Sequence, residues 1–420
     1  MPSVEGLPAR RAALQMLDAV LRRGRTLDSA AQASRDLKPA DQALAVAIAG
    51  EALRRIPDFD ALIDGATRQR LPDDSKARMV LRVALAQKVG LGTPEHALVA
   101  TALPLVDGGP RRLVHGVLGT LLRRGVPPMD SPPLPDAVEQ RWSKAWGEDV
   151  VASARRLLAK RPPLDLSFID DAEAKAFAAI TGGRSLATCH VRLNDAGAVS
   201  QLPGFGEGRW WVQDLAASLP ARLIPANAGD VLDLCAAPGG KTMQLAGAGH
   251  RVTAVDQSES RLKRLRENLK RTGLVAQLVT ADALKWEPQR TFDAILLDAP
   301  CSATGTFRRH PEVLYRARPA IIRDSAELQR PLLDRAAAWL KPGGALVYSV
   351  CSLEREEGEA IIAAFLDANP VFAIDPPRTG ELPDFVTPDE RGWVRILPGL
   401  LESDGGLDGF FVARLVRMAT

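Results

Sequence analysis

From about residue 226 onward the sequence alternates short apolar runs with amphipathic stretches, and this alternation limits the possible fold more than any other feature. "DVLDLC", "RVTAVD", "AQLVTAD", "FDAILLDAP" and "GALVYSVC" are each nearly continuous in apolar residues, as a strand covered on both faces must be. Between them lie helical segments such as "SRLKRLRENLKRTG", with Leu262, Leu265 and Leu269 on one stripe. Strands of that kind, each followed by a helix, assemble into a doubly wound, mostly parallel α/β sheet. The terminal "DGFFVARLVR" (408–417) comes too soon after "GWVRILP" for a crossover helix, so a hairpin should bring the last strand in antiparallel.

The first part of the chain has a different period. "ARRAALQMLDAVLRRG" carries Ala13, Met16, Leu17, Val20 and Leu21 on one helical stripe and stops at Gly24. "RRLVHGVLGTLLRRG" does the same with Leu113, Val114, Val117, Leu118, Leu121 and Leu122, stopping at Gly125. Further helices are expected over 39–55, opening at Pro39, and over 76–89. Together these imply an all-helical bundle over 1–127. The proline-rich "GVPPMDSPPLP" (125–135) cannot continue a helix and marks a boundary. Residues 136–225, with helices in "AVEQRWSKAWG" and "VVASARRLLAKR" and strand-like pieces near 165–169 and 209–213, are expected to form a small linking domain before the sheet domain of 226–420.

"DLCAAPGGKT" (233–242) resembles at first a phosphate-binding loop, but the glycine that loop needs five positions before its Gly-Lys-Thr is Cys235 here. Pro238 removes a further amide from any phosphate cradle. Gly239 and Gly240 instead leave bare backbone between a first strand and its helix, where a ligand can lie close. Asp256, ending "VTAVD", stands where such folds bind ribose hydroxyls, and Asp282, ending "LVTAD", suits an adenine amino group. A nucleoside gripped at ribose and base without a phosphate cradle indicates S-adenosylmethionine. A dinucleotide is disfavoured because G-x-G-x-x-G is absent.

Cys301 comes after "LLDAP" and Cys351 after "LVYSV", each just past the end of an expected strand and each succeeded by serine. Neighbouring parallel strands would bring both thiols to the ligand crevice. Such a pair suits methylation of cytosine at carbon 5: one thiolate adds to carbon 6 and makes carbon 5 nucleophilic, and a second assists expulsion of the first. Asp298 is expected to hydrogen-bond the base, and Lys241 to favour the thiolate or orient the base. The cytosine must be unstacked to enter. Residue spacing alone does not say which thiol attacks.

At this point the chain is similar, over nearly its whole length, to the Sun/Fmu (RsmB-type) family of RNA cytosine-C5 methyltransferases. The resemblance rests on "CAAPGGKT" (235–242), "DAPCS" (298–302), "RRHPEV" (308–313) and "DGFFVARL" (408–415), with "PGFGEGRWWVQDLAA" (203–217) as the entry segment. The N-terminal helices resemble the NusB-like RNA-binding domain of the ribosomal-RNA branch. The resemblance implies a Rossmann-like S-adenosylmethionine-dependent methyltransferase domain preceded by the NusB-like and linking domains. It implies an enzyme of rRNA processing that makes 5-methylcytosine in small-subunit (16S) rRNA, with Cys351 attacking and Cys301 aiding release. Cofactor contacts are implied at Cys235, Ala236, Ala237, Pro238, Gly239, Gly240, Lys241, Asp256, Asp282 and Asp298, and Arg261 is expected near the cofactor. Two residues depart from the family pattern: Val350 stands where threonine is usual, and Ala303 where glycine is usual. The alternatives are the same chemistry on tRNA and a catalytically inactive rRNA-binding assembly factor.

Composition fits this reading. Four cysteines in 420 residues exclude a disulfide framework, and without a C-x-x-C pair no metal site is expected. No apolar run reaches the ~18 residues of a membrane span, and "MPSVEGLPARRAAL" lacks a signal segment, so a cytoplasmic protein is expected. A net charge of +3 makes the location of basic residues decisive. Arg10, Arg11, Arg22, Arg23, Arg25, Arg111, Arg112, Arg123 and Arg124 cluster at helix ends. Together with the stretch 308–330 they are expected to hold an RNA backbone, the plain alternative being a solvated face.

Overall fold

The computed structural model describes residues 5–419, so residues 1–4 of the expected bundle and residue 420 of the sheet domain lie outside the description. The chain forms two compact units. One runs to Arg161 and takes in Phe307–Ala317; the other comprises Pro162–Thr306 and the chain from Arg318 on. The division falls within the segment 136–225. The helices Asp136–Trp146 and Glu148–Ala159 go with the first unit, and the strands after them go with the second.

In the first unit the helices Leu7–Leu21, Pro39–Arg54, Lys76–Leu91 and Gly108–Arg124 enclose one apolar core. Proline at the first position of the second and Gly125 (φ 77°) after the last mark their ends, as their residue types dictate. Helix Lys76–Leu91 is buried without interruption from Ala77 to Gln87, including Arg78 and Arg82. Two buried guanidiniums are tolerable only if fully paired. Arg82 forks onto the Asp60 carboxylate at 2.8 and 2.7 Å, and Arg78 reaches Asp60 at 3.1 Å and also pairs with Asp64. Of the arginines clustered at helix ends, Arg10 donates to the Gln87 side chain (2.7 Å), and the others are exposed.

The stretch 308–330 corrects one expectation. Its first part does not lie on a solvent face: Phe307–Ala317 packs into the helical unit. Phe307 meets Trp142 edge to face with ring centroids 5.4 Å apart. The Tyr315 hydroxyl donates to the Leu53 carbonyl (2.9 Å), the Glu312 carboxylate accepts the Leu27 amide (3.0 Å), and Arg316 donates to the Gly24 carbonyl (2.7 Å). Arg308 is 1% exposed. An RNA footprint from this stretch is left to Arg318, Arg323 and Arg330, which are exposed on or beside helix Pro319–Ala338.

The second unit begins with a three-stranded antiparallel sheet of β1 (Leu164–Phe168), β2 (His190–Leu193) and β3 (Trp210–Val212), in order β2-β1-β3. Asp165 ties this sheet to the start of helix Leu215–Arg222. Its buried carboxylate accepts both arms of Arg192 at 2.7 Å and the Leu215 amide at 3.0 Å. Burial pushes this carboxyl up, but hydrogen bonds from Arg192 and His190 outweigh it and hold the group well below the usual carboxylate range. Trp211 of β3 packs with Met243, Leu262, Leu265 and Leu269 of the larger domain, which explains why this small sheet joins the second unit.

The large sheet contains β4 (Asp230–Leu234), β5 (Arg251–Asp256), β6 (Gln277–Thr280), β7 (Phe292–Asp298), β8 (Leu340–Val350), β10 (Val394–Ile396) and β11 (Phe410–Arg417), in order β10-β11-β8-β7-β4-β5-β6. The short β9 (Phe372–Ile374) pairs with β11. Pairing is parallel from β8 to β6, while β11 is antiparallel to β8 and forms the anticipated hairpin pair with β10. Strand order reverses between β4 and β7. The crevice beyond the carboxyl ends of strands at such a switch point is where open α/β sheets bind ligands.

Candidate active site

The chain leaves β4 at Cys235 in a left-handed turn (φ 60°) and reaches helix Gly240–Gly247 through Gly239 (φ 106°). A side chain at Gly239 would be strained by that φ, and its Cβ would lie 2.0 Å from a methyl of Leu265. The loop is held from the next strand. Ala236 donates to the Val255 carbonyl (3.1 Å), and Ala237 donates to the Asp256 carboxylate (3.1 Å). Arg261 donates to the Ala237 carbonyl and pairs with Asp256 at 3.5 Å, so it is joined directly to the loop. Asp256 also accepts the Ser258 amide (2.9 Å), and Asp282 accepts that of Leu284 (3.0 Å). Both carboxylates thus cap their own turns as well as standing at the crevice.

Asp233, inside β4, was not singled out from the sequence. It is fully buried. One oxygen accepts from the Thr242 hydroxyl at 2.5 Å, and the other has no partner among the described residues. Burial pushes its carboxyl up to about 7, although Thr242 and Lys241 pull the other way. Burial likewise pushes the Cys235 thiol up to about 12, which makes this sulfur a packing group and not a nucleophile. Carboxylates at Asp256, Asp282 and Asp298 beside a bare peptide loop suit a ligand that carries a ribose and a positive charge. The donor set therefore fits S-adenosylmethionine.

Lys241 enters the site through Asp298. Its ammonium donates to that carboxylate at 2.7 Å and lies over the Phe410 ring, 5.2 Å from the centroid. The other Asp298 oxygen accepts from the Ser349 hydroxyl (2.8 Å), while its side chain keeps 30% exposure toward incoming molecules.

Cys301 and Cys351 lie just beyond the neighbouring parallel strands β7 and β8, and their sulfurs are 3.5 Å apart. The hydrogen bond with Cys351 pushes the Cys301 thiol well above its ordinary value. Burial adds to this, as do the negative potentials of Cys351 and Glu357. The turns that carry the two cysteines are stitched together: Gly305 donates to the Cys351 carbonyl (3.0 Å), and Leu353 donates to the Thr304 hydroxyl (3.0 Å). A Cβ at Gly305 would come within 2.0 Å of the Gly409 carbonyl oxygen, and one at Gly409, in "DGFF", would lie 2.5 Å from a methyl of Leu353, so both positions carry glycine.

Ala303 sits at φ 59°, in the left-handed conformation that favours glycine. Ala303→Gly is expected to relieve about 1 kcal/mol of backbone strain and raise the thermal denaturation midpoint. An unchanged or lower midpoint would show that the turn carries no such strain. Val350 is fully buried in β8.

Comparison with known proteins shows the family of the chain. The model of the family described as 16S rRNA methyltransferase RsmB/F matches residues 220–416, and that of the NusB family matches residues 7–123. The ribosomal RNA small subunit methyltransferase B of Vibrio cholerae is 33% identical over 442 residues, covering 97% of this chain and 96% of that protein. Among solved structures, PH0851 superposes with a TM-score of 0.75 at 24% identity, covering 97% of this chain and 98% of its own. A methyltransferase homolog protein from Pyrococcus horikoshii superposes with a TM-score of 0.56 at 28% identity, covering 71% and 98%.

Proposed function

The chain belongs to the 16S rRNA methyltransferase RsmB/F family, and on that footing we propose that it methylates carbon 5 of a cytosine in small-subunit ribosomal RNA. S-adenosylmethionine is the methyl donor and supplies an electrophilic methyl group. The observation that carries the reading is the pair of sulfurs 3.5 Å apart at the tips of β7 and β8.

In this reading the Cys351 thiolate forms a bond to carbon 6 of the extruded cytosine, and the carbon 5–carbon 6 π pair shifts onto carbon 5. Carbon 5 attacks the donor's methyl group, and the methyl–sulfur bond would break with its pair staying on sulfur, so that S-adenosylhomocysteine is the leaving group. The proton on carbon 5 then leaves to a base, the remaining pair re-forms the double bond, and the carbon–sulfur bond breaks to return the thiolate. Cys301, its sulfur 3.5 Å from that of Cys351, assists that release. Asp298, held by Lys241 and Ser349, meets the polar edge of the base where charge develops. The loop from Cys235 to Lys241, with Asp256, Arg261, Asp282 and Asp298, holds the cofactor. The helical unit contributes the RNA-backbone contacts through its exposed arginines, and the cytoplasm is where such an enzyme meets its RNA.

Label transfer tests the reading. The protein is incubated with methyl-labelled S-adenosylmethionine and ribosomal RNA from cells that lack it, and label is expected as 5-methylcytosine in the small-subunit RNA. Label in transfer RNA alone would move the substrate, and no label in either would leave an RNA-binding assembly factor.

A further inference from the structure

Glu357 lies beyond the end of β8, in the segment that leads to helix Glu359–Ala368, and none of the reaction steps assigned to the two thiols uses it. It is nevertheless completely buried. One carboxylate oxygen accepts the Ser302 amide at 2.7 Å, and the other accepts the Ser302 hydroxyl at 2.5 Å and also the Ser352 hydroxyl. Ser302 is the residue after Cys301, and Ser352 the residue after Cys351. A single carboxylate therefore fastens the backbone turn of one thiol to the turn of the other. Its own backbone is fixed in return, because the buried Tyr348 hydroxyl donates to the Glu357 carbonyl at 2.7 Å.

Burying a carboxylate carries a desolvation penalty, and an apolar contact would join two turns with less. What an apolar contact cannot do is fix direction and charge. The three donors fix the orientation of Ser302, and with it the Cys301 backbone. The negative charge also faces Cys301 and favours its protonated thiol. Burial pushes the Glu357 carboxyl itself up, with the two serines pulling it back.

We propose that Glu357 is a positioning residue for the release step, holding Cys301 against Cys351 through Ser302 and Ser352. The proposal rests on the covalent mechanism of methyl transfer, and two variants in the full chain test it. Glu357→Gln keeps the shape and can still accept the Ser302 amide, but it removes the charge. Glu357→Ala removes both. With natural RNA, Glu357→Ala is expected to slow multiple turnover about 100-fold, as loss of alignment by an ångström or so does. The first turnover should slow far less, and a denaturation-resistant protein–RNA adduct should accumulate. Glu357→Gln should retain more turnover and shift the pH profile of release to lower pH, since removing a negative neighbour lowers the pH at which Cys301 ionises.

Equal slowing of first and later turnovers would overturn the proposal, because a merely structural role would act that way. So would wild-type turnover in both variants, or an unshifted profile in Glu357→Gln. RNA containing 5-fluorocytidine separates the two levels of inference, since carbon 5 then has no proton to lose and the adduct should persist in the wild-type protein. If the wild type forms no adduct with that RNA, the covalent mechanism fails. If it does and the variants behave as wild type, only the role of Glu357 fails.

Discussion

Cys351→Ser is expected to abolish methyl transfer, lowering the single-turnover rate by about 10⁴-fold or more, as deletion of a covalent nucleophile does. Serine nearly preserves the volume, so the packing of β8 against β7 and β11 should survive. What is lost is the sulfur that adds to carbon 6. The variant should therefore still bind cofactor, shown by equilibrium dialysis with labelled S-adenosylmethionine, yet form no denaturation-resistant adduct with RNA. Methyl transfer near the wild-type rate would remove Cys351 from the attack.

Cys301→Ser should behave in the opposite way. The attacking sulfur remains, so one methyl group is transferred, but the release that Cys301 assists is lost. Protein and RNA should then accumulate as a near-stoichiometric adduct, visible as a band retained through denaturing electrophoresis. The two sulfurs lie 3.5 Å apart, so both reach the same adduct, and the division of roles is the one that the resemblance to the RsmB-type family implies. An adduct with Cys351→Ser and none with Cys301→Ser would exchange the two roles.

Much of the catalytic domain could be read from the chain because its signals are local. A strand buried on both faces must be apolar throughout, so β4, β5, β7 and β8 announce themselves. The loop at Gly239 is legible because its backbone angle demands glycine, and the two cysteines because each ends such a strand. Glu357 gave no comparable signal. A glutamate in "LEREEGEA" looks like any solvated helix-start acid, and only the folding of two distant turns onto it reveals its role. The serine after each cysteine was the available clue.

Arg78 and Arg82 were missed for the same reason. Charge in a helical stretch suggests solvent, whereas these side chains are buried because Asp60 and Asp64 come to meet them. The stretch 308–330 suggests an RNA-backbone contact from its arginines alone, since nothing in its own residues shows that Tyr315 and Glu312 will find carbonyl and amide partners at Leu53 and Leu27.

The sequence by itself determined the strand–helix alternation, the glycine-rich turn and the presence of two thiols at strand tips, because each depends on neighbours a few residues away. Only the tertiary structure decided that the two sulfurs sit 3.5 Å apart, that Lys241 is committed to Asp298, and that one buried carboxylate joins both cysteine turns. Those are contacts between residues about fifty positions apart, and their energy depends on distance and on exclusion of water, neither of which is a property of any short stretch of chain.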